Sequence, residues 1–411
     1  MKTKELKEIR SNLDEFLSEF DDCIKTVNSR AHFHTYAGGQ LSDLERKSVE
    51  PIALEAGVPP RSLQEFLAIH RWDENRVRLR VQDLVKRDHF DDNAIGIIDE
   101  TSFPKKGDKT AGVQRQWCGA AGKTDNCVVT VDLGYNAGDF HTLIDTGLYL
   151  PKETWDEDRE RCREAGIPDD VGYRPKWSIS LGQVERAIAN GVPLKWVTAD
   201  EFYGCSGPFR RGLEALGLSY VVEIPRSTCG WLRKPPTLGP ADSQATGRRR
   251  TRVIVSPDAP APRRVDELWL RGGPSWEAFH IKDTEKGPLV WEARIGDIYM
   301  SQGDGTAPKK LRLIVARNIL DGEIKYFLCG APRDTPPEVI LHVAFSRWRI
   351  ERIFEDAKGQ IGMDHFEVRH YRPLVRHMIL SMVSLLFLMR ETKRLRGKKY
   401  LVERAPSAPR G

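Results

Sequence analysis

The 411 residues are 40% apolar and 30% charged, with 34 Gly and 25 Pro spread along the chain. That composition excludes a disordered, collagen-like or coiled-coil protein and gives enough length for two or three domains. Net charge is +5, yet residues 226–271 hold ten Arg and Lys against four Asp and Glu, and 390–411 hold eight against two. The remainder is therefore net acidic, and local basic patches of this kind suit a polyanion partner.

The opening MKTKELKEIRSNLDEF mixes charges where a signal peptide needs an apolar run. Residues 1–92 read as a helical domain. Within it, SVEPIALEAGVPPRSLQEFLAIHRW (48–72) predicts two helices around a Gly57–Pro60 turn, with Ser62 as the N-cap of the second. This helix-turn-helix outline serves DNA reading or plain bundle packing equally well.

From residue 94 the pattern changes. AIGIIDE (94–100), NCVVTVDLGY (126–135) and HTLIDTGLYL (141–150) predict a meander of three strands. Helix 180–191, strand 194–201, helix 207–217 and strand 219–224 follow, so 93–225 reads as a mixed sheet with helices on its faces. Residues 226–335 read as a basic, mainly β insertion, with six prolines in 226–264, the run RRRTR (248–252), and strands near 289–300, 311–319 and 324–330. A long helix over about 338–360 and an apolar helix at 374–392 complete the α/β part, ahead of a basic tail, 393–411. The longest apolar stretch, MILSMVSLLFLM (378–389), is shorter than the ~20 residues of a membrane span and predicts a buried helix without a membrane partner. Seven scattered cysteines without a C-x-x-C pair predict reduced thiols and a cytoplasmic setting.

Asp99 ends the first strand and Asp200 the fourth. A strand-terminal Asp more often caps the next turn, but two on one sheet can bring hard oxygen ligands to one divalent cation. The helix RWRIERIFEDAKGQIG (347–362) offers a third acid. At ~100° per residue its buried stripe is Ile350, Ile353, Phe354, Ala357 and Ile361; Glu351 borders that stripe between Arg347 and Lys358, and Glu355 points further into solvent. Trp348 beside Arg347 and Arg349 suits phosphate clamping with base stacking, or a core position.

The order Asp99, Asp200, Glu351, with an insertion before the last, resembles the DDE transposases of bacterial insertion sequences. Arg347, Glu351 and Lys358 match the last three positions of the signature Tyr-x-x-Arg-x-x-x-Glu-x-x-x-x-x-x-Lys of their cut-and-paste branch; Ala344, beside Phe345, stands at the Tyr position. FPKKG (103–107), GVQRQWCGAAGKTDNC (112–127), LYLP (148–151), DEDRERCREAGIP (156–168), WVTADEFYG (196–204) and ERKSVEPIALEAG (45–57) extend the likeness over roughly 30–390. The resemblance implies a ribonuclease-H-like catalytic domain in two parts (93–225 and 336–392), with Asp99, Asp200 and Glu351 as catalytic residues binding Mg²⁺ or Mn²⁺. It further implies cleavage at terminal inverted repeats, strand transfer into target DNA, nucleoid association, and at least a homodimer, because each chain has one acid triad for two DNA ends. Arg347, Trp348 and Lys358 would contact DNA near the scissile bond, and Lys105, Lys106, Arg248, Arg249 and Arg250 its backbone. The rival reading is a transposase-derived DNA-binding protein that no longer cuts; the presence of all three acids speaks against it.

Overall fold

A computed structural model describes residues 3–242, 251–270, 272–284, 287–302 and 306–404. In chain order the elements are α1 (Thr3–Ser18), α2 (Val27–Gln40), α3 (Val49–Glu55), α4 (Pro60–Ala68) and α5 (Glu74–Asp88). Next come β1 (Ile95–Pro104), β2 (Gln114–Cys118), β3 (Lys123–Ala137), β4 (Phe140–Leu148), α6 (Arg159–Glu164), α7 (Lys176–Ala189), β5 (Trp196–Ala199), α8 (Glu201–Gly204), α9 (Gly207–Ala215) and β6 (Ser219–Ile224). Four two-residue strands, β7 (Cys229–Gly230), β8 (Thr237–Leu238), β9 (Ile254–Val255) and β10 (Arg263–Arg264), precede the longer β11 (Glu277–Thr284), β12 (Gly287–Met300), β13 (Lys309–Asn318) and β14 (Ile324–Gly330). The chain ends in α10 (Pro337–Ser346), α11 (Arg349–Gly359) and α12 (Tyr371–Arg404). The result is a mixed α/β architecture with a large mixed sheet and flanking helices. The chain forms two compact units, one of residues 1–94, 99–193 and 349–411, the other of 95–98 and 194–348.

The first unit is organised around α12. Its side chains Leu374, Ile379, Leu380, Met382, Val383, Leu385 and Leu386 are fully buried, as in a core helix of a globular protein. α12 passes the length and hydropathy test for a span, but its apolar window is 83% buried within the protein. Polar groups on the same helix are matched to the N-terminal helices. His377 sits between the Tyr36 hydroxyl (2.8 Å) and the Met363 carbonyl (3.0 Å), and burial brings its pKa down to about 4. A neutral ring that donates Nε2–H to the carbonyl then accepts from Tyr36 at Nδ1. Gln40 donates to Ser381 (2.8 Å) and accepts from Ser384 (2.9 Å). β2, β3 and β4 form an antiparallel meander in which β3 and β4 are almost wholly buried.

In the helical segment, α3 ends in a Schellman motif. Gly57 takes φ +66°, Val58 N–H reaches the Ala53 carbonyl (2.9 Å) and Gly57 N–H the Leu54 carbonyl (3.1 Å). The predicted Ser62 N-cap is not observed: Pro59 is the N-cap and Pro60 the first helical residue, which places Ser62 inside α4. Proline has a φ already suited to the first turn and no N–H to leave unsatisfied there, so the helix starts three residues earlier than a Ser62 cap would set it. Leu63, Phe66 and Leu67 are the buried face of α4.

In the second unit β1, β5 and β6 run parallel, and β6, β14, β13, β12 and β11 continue antiparallel. Parallel β5 and β6 are buried and apolar, because helices connect and cover them. Segment 226–335 is mainly β among its described residues. The single helix predicted over 338–360 is instead two, α10 and α11, broken at Arg347–Trp348. Neither Pro nor Gly marks the break; Ser346 Oγ donates back to the Val343 carbonyl (2.7 Å), an i−3 bond that bends helices, and the two units divide at Trp348 and Arg349.

Candidate functional site

The two aspartates are placed by strand register. β1 and β5 pair in parallel from Ile95 opposite Trp196 to Ile98 opposite Ala199, and the next residue on each strand is the acid, Asp99 and Asp200. Asp99 is half-buried in the middle of β1, which runs on to Pro104 rather than ending near residue 100, and its Oδ1 accepts from the Glu100 amide (2.8 Å). Asp200, also half-buried, is the N-cap of α8 and accepts from the amides of Phe202 (3.1 Å) and Tyr203 (3.4 Å). The capping role anticipated for a strand-terminal Asp is thus real for Asp200. It fixes the carboxylate at the mouth of the strand through two donor amides.

Glu351 lies in the first turn of α11 and is exposed, not at the edge of the buried stripe. The break takes Arg347 out of the angular frame, whereas Glu351, Lys358 and most of the stripe share α11. Below it the stripe holds, with Ile350, Ile353, Ala357 and Ile361 buried and Phe354 half-buried. Asp356, absent from the predicted stripe, is buried as well, paired with Arg352 at 2.9 Å. Ala344 is buried at 3% exposure in α10, so the Tyr position of the signature is here a small core side chain, while the neighbouring Phe345 packs on Trp291 and Phe327.

The cations are placed by their own partners. Arg347 pairs with Glu223 of β6 at 3.7 Å. Trp348 is 38% exposed, not core, and the Lys282 ammonium lies 3.3 Å above its ring. Lys358 is half-buried, its ammonium 3.3 Å from the Ser102 carbonyl of β1, and burial lowers its pKa. Lys105 donates to the Phe366 carbonyl (2.7 Å) and covers the Phe366 ring (3.4 Å), and burial brings its pKa down to about 8; Lys106 is exposed. Arg248, Arg249 and Arg250 lie outside the described residues.

Sequence reasoning missed Glu223, Lys282 and Asp132. Glu223 was legible as the one carboxylate in the apolar strand SYVVEI, and Asp132 as the acid in VVTVDLGY. Asp132 is fully buried on β3; burial pushes its carboxyl up to about 7, partly offset by a hydrogen bond from the Thr130 hydroxyl to Oδ2 (2.7 Å) and by the charge of Lys358. Its folded pKa lies above the ordinary 3.8, so the stability this group contributes is full below about pH 4 and is lost as pH rises to about 7. Asp132→Asn is therefore expected to match the wild type at acid pH and to exceed it by on the order of 4 kcal/mol above pH 7. Urea midpoints across the pH range check this; a constant gap would show that Asp132 does not titrate there.

Among the described residues no three His, Cys, Asp or Glu side chains stand together as a metal-holding group. The chemistry of the donor set nevertheless fits a hard divalent cation, since all three predicted ligands are carboxylates and two of them follow the last paired residues of neighbouring parallel strands.

The mixed α/β architecture, a large mixed sheet with flanking helices, is consistent with a nuclease-like fold. The model of the DDE superfamily endonuclease family matches residues 19–288, and the chain belongs to that family. It is also 34% identical over 215 residues to a probable transposase for insertion sequence element IS701 from Microchaete diplosiphon, a match that covers 52% of this chain and 53% of the relative. The chain thus spans about half the length of the curated relative it matches. The NurA nuclease from Sulfolobus solfataricus aligns over 82% of this chain and 94% of its own at 11% identity, with a TM-score of only 0.25.

Proposed function

We propose that the protein is a transposase of the cut-and-paste kind, which cleaves DNA at the terminal inverted repeats of a mobile element and joins the freed ends to target DNA. The observation that supports this reading is that Asp99 and Asp200 each follow the last paired residues of β1 and β5, Ile98 and Ala199, in a chain of the endonuclease family. The core around them is read as ribonuclease-H-like, interrupted by the β-rich segment 226–335, and Glu351 is read as the third acid. Asp99, Asp200 and Glu351 would hold the divalent cation, Mg²⁺ or Mn²⁺. When bound, such a cation supplies a more acidic water and neutralises charge on the phosphate. The chain's own part is positional: α8 orients the Asp200 carboxylate through two backbone amides, and α11 presents Glu351. Arg347 and Trp348 are read as DNA-binding side chains whose present partners, Glu223 and Lys282, would be exchanged for phosphate or base. The active form is proposed to be a homodimer.

The test is cleavage of DNA carrying the element's ends, with Mg²⁺, with Mn²⁺ and with chelator. Nicked or cut product that disappears on chelation supports the reading; retarded DNA that is never cut establishes the binding-only alternative. For the basic segment, neutralising Arg248, Arg249, Arg250 and Arg252 together is expected to weaken binding and lower the salt slope by up to ~0.9 for each phosphate that is no longer neutralised. An unchanged slope would mean that the run has no DNA partner.

A further inference from the structure

A second cationic feature lies within the first unit, in a cavity of about 260 Å³ lined by Asp108, Lys109, Trp155, Arg161, Glu164, Ala165, Arg369 and His370. None of the three proposed catalytic acids lines it. The loop after β1 supplies Lys109, α6 supplies Arg161, and the segment before α12 supplies Arg369; the main chain ties these segments together through Ala111 N–H to the Arg369 carbonyl (2.8 Å) and Tyr371 N–H to the Ala165 carbonyl (2.9 Å).

Arg161 is the informative side chain. Its guanidinium lies 3.9 Å over the ring of Trp155, which is buried and itself anchored through Nε1 to the Val113 carbonyl (2.8 Å). Its two terminal nitrogens donate to the carbonyls of Thr154 (2.6 Å) and Asp108 (2.8 Å). Those bonds fix its position without cancelling its charge, because no carboxylate among the described residues pairs with it. A guanidinium has five N–H donors, so this one has donors to spare. Lys109 and Arg369 are exposed beside it and likewise make no ion pair among the described residues. Asp108 and Glu164, both exposed, leave the lining with three cations against two acids. An immobilised cation without a counter-ion, flanked by two more, is pre-organised for a phosphate, since the entropy of holding the guanidinium is already met on folding.

We infer that this cavity is a phosphate-binding site for a DNA strand, used to hold the duplex away from the acids. The inference rests on the DNA-processing reading above and adds a phosphate-holding point to it. Arg161 would fix the phosphate position, and Lys109 and Arg369 would close on the oxygens; such interactions position DNA without reading sequence.

The experiment uses the full chain and a short fluorescein-labelled DNA duplex of mixed sequence, titrated from about 50 to 200 mM salt. Lys109→Gln/Arg369→Gln is compared with the wild type and with Lys123→Gln, a control at the exposed start of β3, where Lys123 already pairs with Asp125 (3.5 Å). Both cavity cations are exposed, so an unchanged melting temperature is expected and is checked first. The double variant should lower the slope of log affinity against log salt by up to ~0.9, the contribution of one phosphate contact, while the control stays within error of the wild type. A double variant with the wild-type slope overturns the cavity assignment and leaves the transposase reading intact. Absence of any DNA binding by the wild type overturns that reading, and the cavity assignment with it.

Discussion

Asp99→Asn, Asp200→Asn and Glu351→Gln are each expected to abolish divalent-metal-dependent DNA cleavage, with DNA retardation and melting temperature close to wild type. Each substitution keeps the shape of the side chain and removes one negative charge. If the three carboxylates hold the cation, the substitution removes charge stabilisation worth several kcal/mol in the transition state, a rate loss of at least a thousandfold by order of magnitude. Asp200 needs a second readout, because it also caps α8. Asn is as good an N-cap as Asp, so Asp200→Asn should keep the cap, whereas Asp200→Ala should also lose about 1 kcal/mol of stability. The comparison separates the two jobs of one residue. Glu355→Gln serves as the control on α11, where the Glu355 side chain is 69% exposed and pairs with Arg352 at 3.3 Å. A Glu351→Gln protein that cuts normally, beside a Glu355→Gln protein that does not, would move the third acid one turn along the helix.

Arg376→Ala is expected to cause the largest loss of stability of any single change considered, about 3–5 kcal/mol, read as a fall in the urea midpoint. The Arg376 side chain is 3% exposed. Its guanidinium donates to the carbonyls of Phe66 (3.3 Å), Leu67 (3.1 Å), His70 (2.9 Å) and Trp72 (2.8 Å), lies 4.3 Å over the Trp72 ring and meets Glu74 at 3.4 Å. Truncation leaves several carbonyls in a dry site without a donor, and that cost exceeds the value of any one bond. Arg376→Lys should recover only part of the loss, since a single ammonium cannot span acceptors arranged around a planar fork. A variant within about 1 kcal/mol of the wild type would show that water reaches these carbonyls. The same packing bears on end recognition. Helices α2, α4 and α5 share the core of α12, so removing residues 1–92 would uncover His377, Ser381 and Ser384 as well as any recognition surface. Exposed substitutions on α4 are therefore the cleaner probe of DNA reading.

Much of the architecture was legible in the sequence because local chemistry decides it. Strand β6 was predicted residue for residue, and β12, β13 and β14 to within two residues, since alternating apolar patterns between turn residues have few other solutions. Strand β2, helix α6 and strand β11 were not foreseen: Gln114–Cys118 and Arg159–Glu164 are too short and too polar to show a period, and β11 is held by its pairing with β12.

For the site, the sequence by itself determined the candidate acids, the family likeness and the positions of Arg347 and Lys358. Only the tertiary structure decided what those residues touch. At the helix break at Arg347–Trp348 Ser346 bonds back to Val343, a local competition that periodicity does not register, and the break separates Arg347 from the helix that carries Glu351. Lys105 looked like a partner for the DNA backbone, but it bonds to a carbonyl and covers an aromatic ring that are 261 residues away in sequence. Asp132 reads as one acid in an apolar strand, and only its complete burial near Lys358 gives it a carboxyl that titrates near neutrality. Residue type fixes which charges and donors a side chain can offer, whereas its partners and its dielectric surroundings are set by segments distant in the chain, which pattern and spacing cannot register.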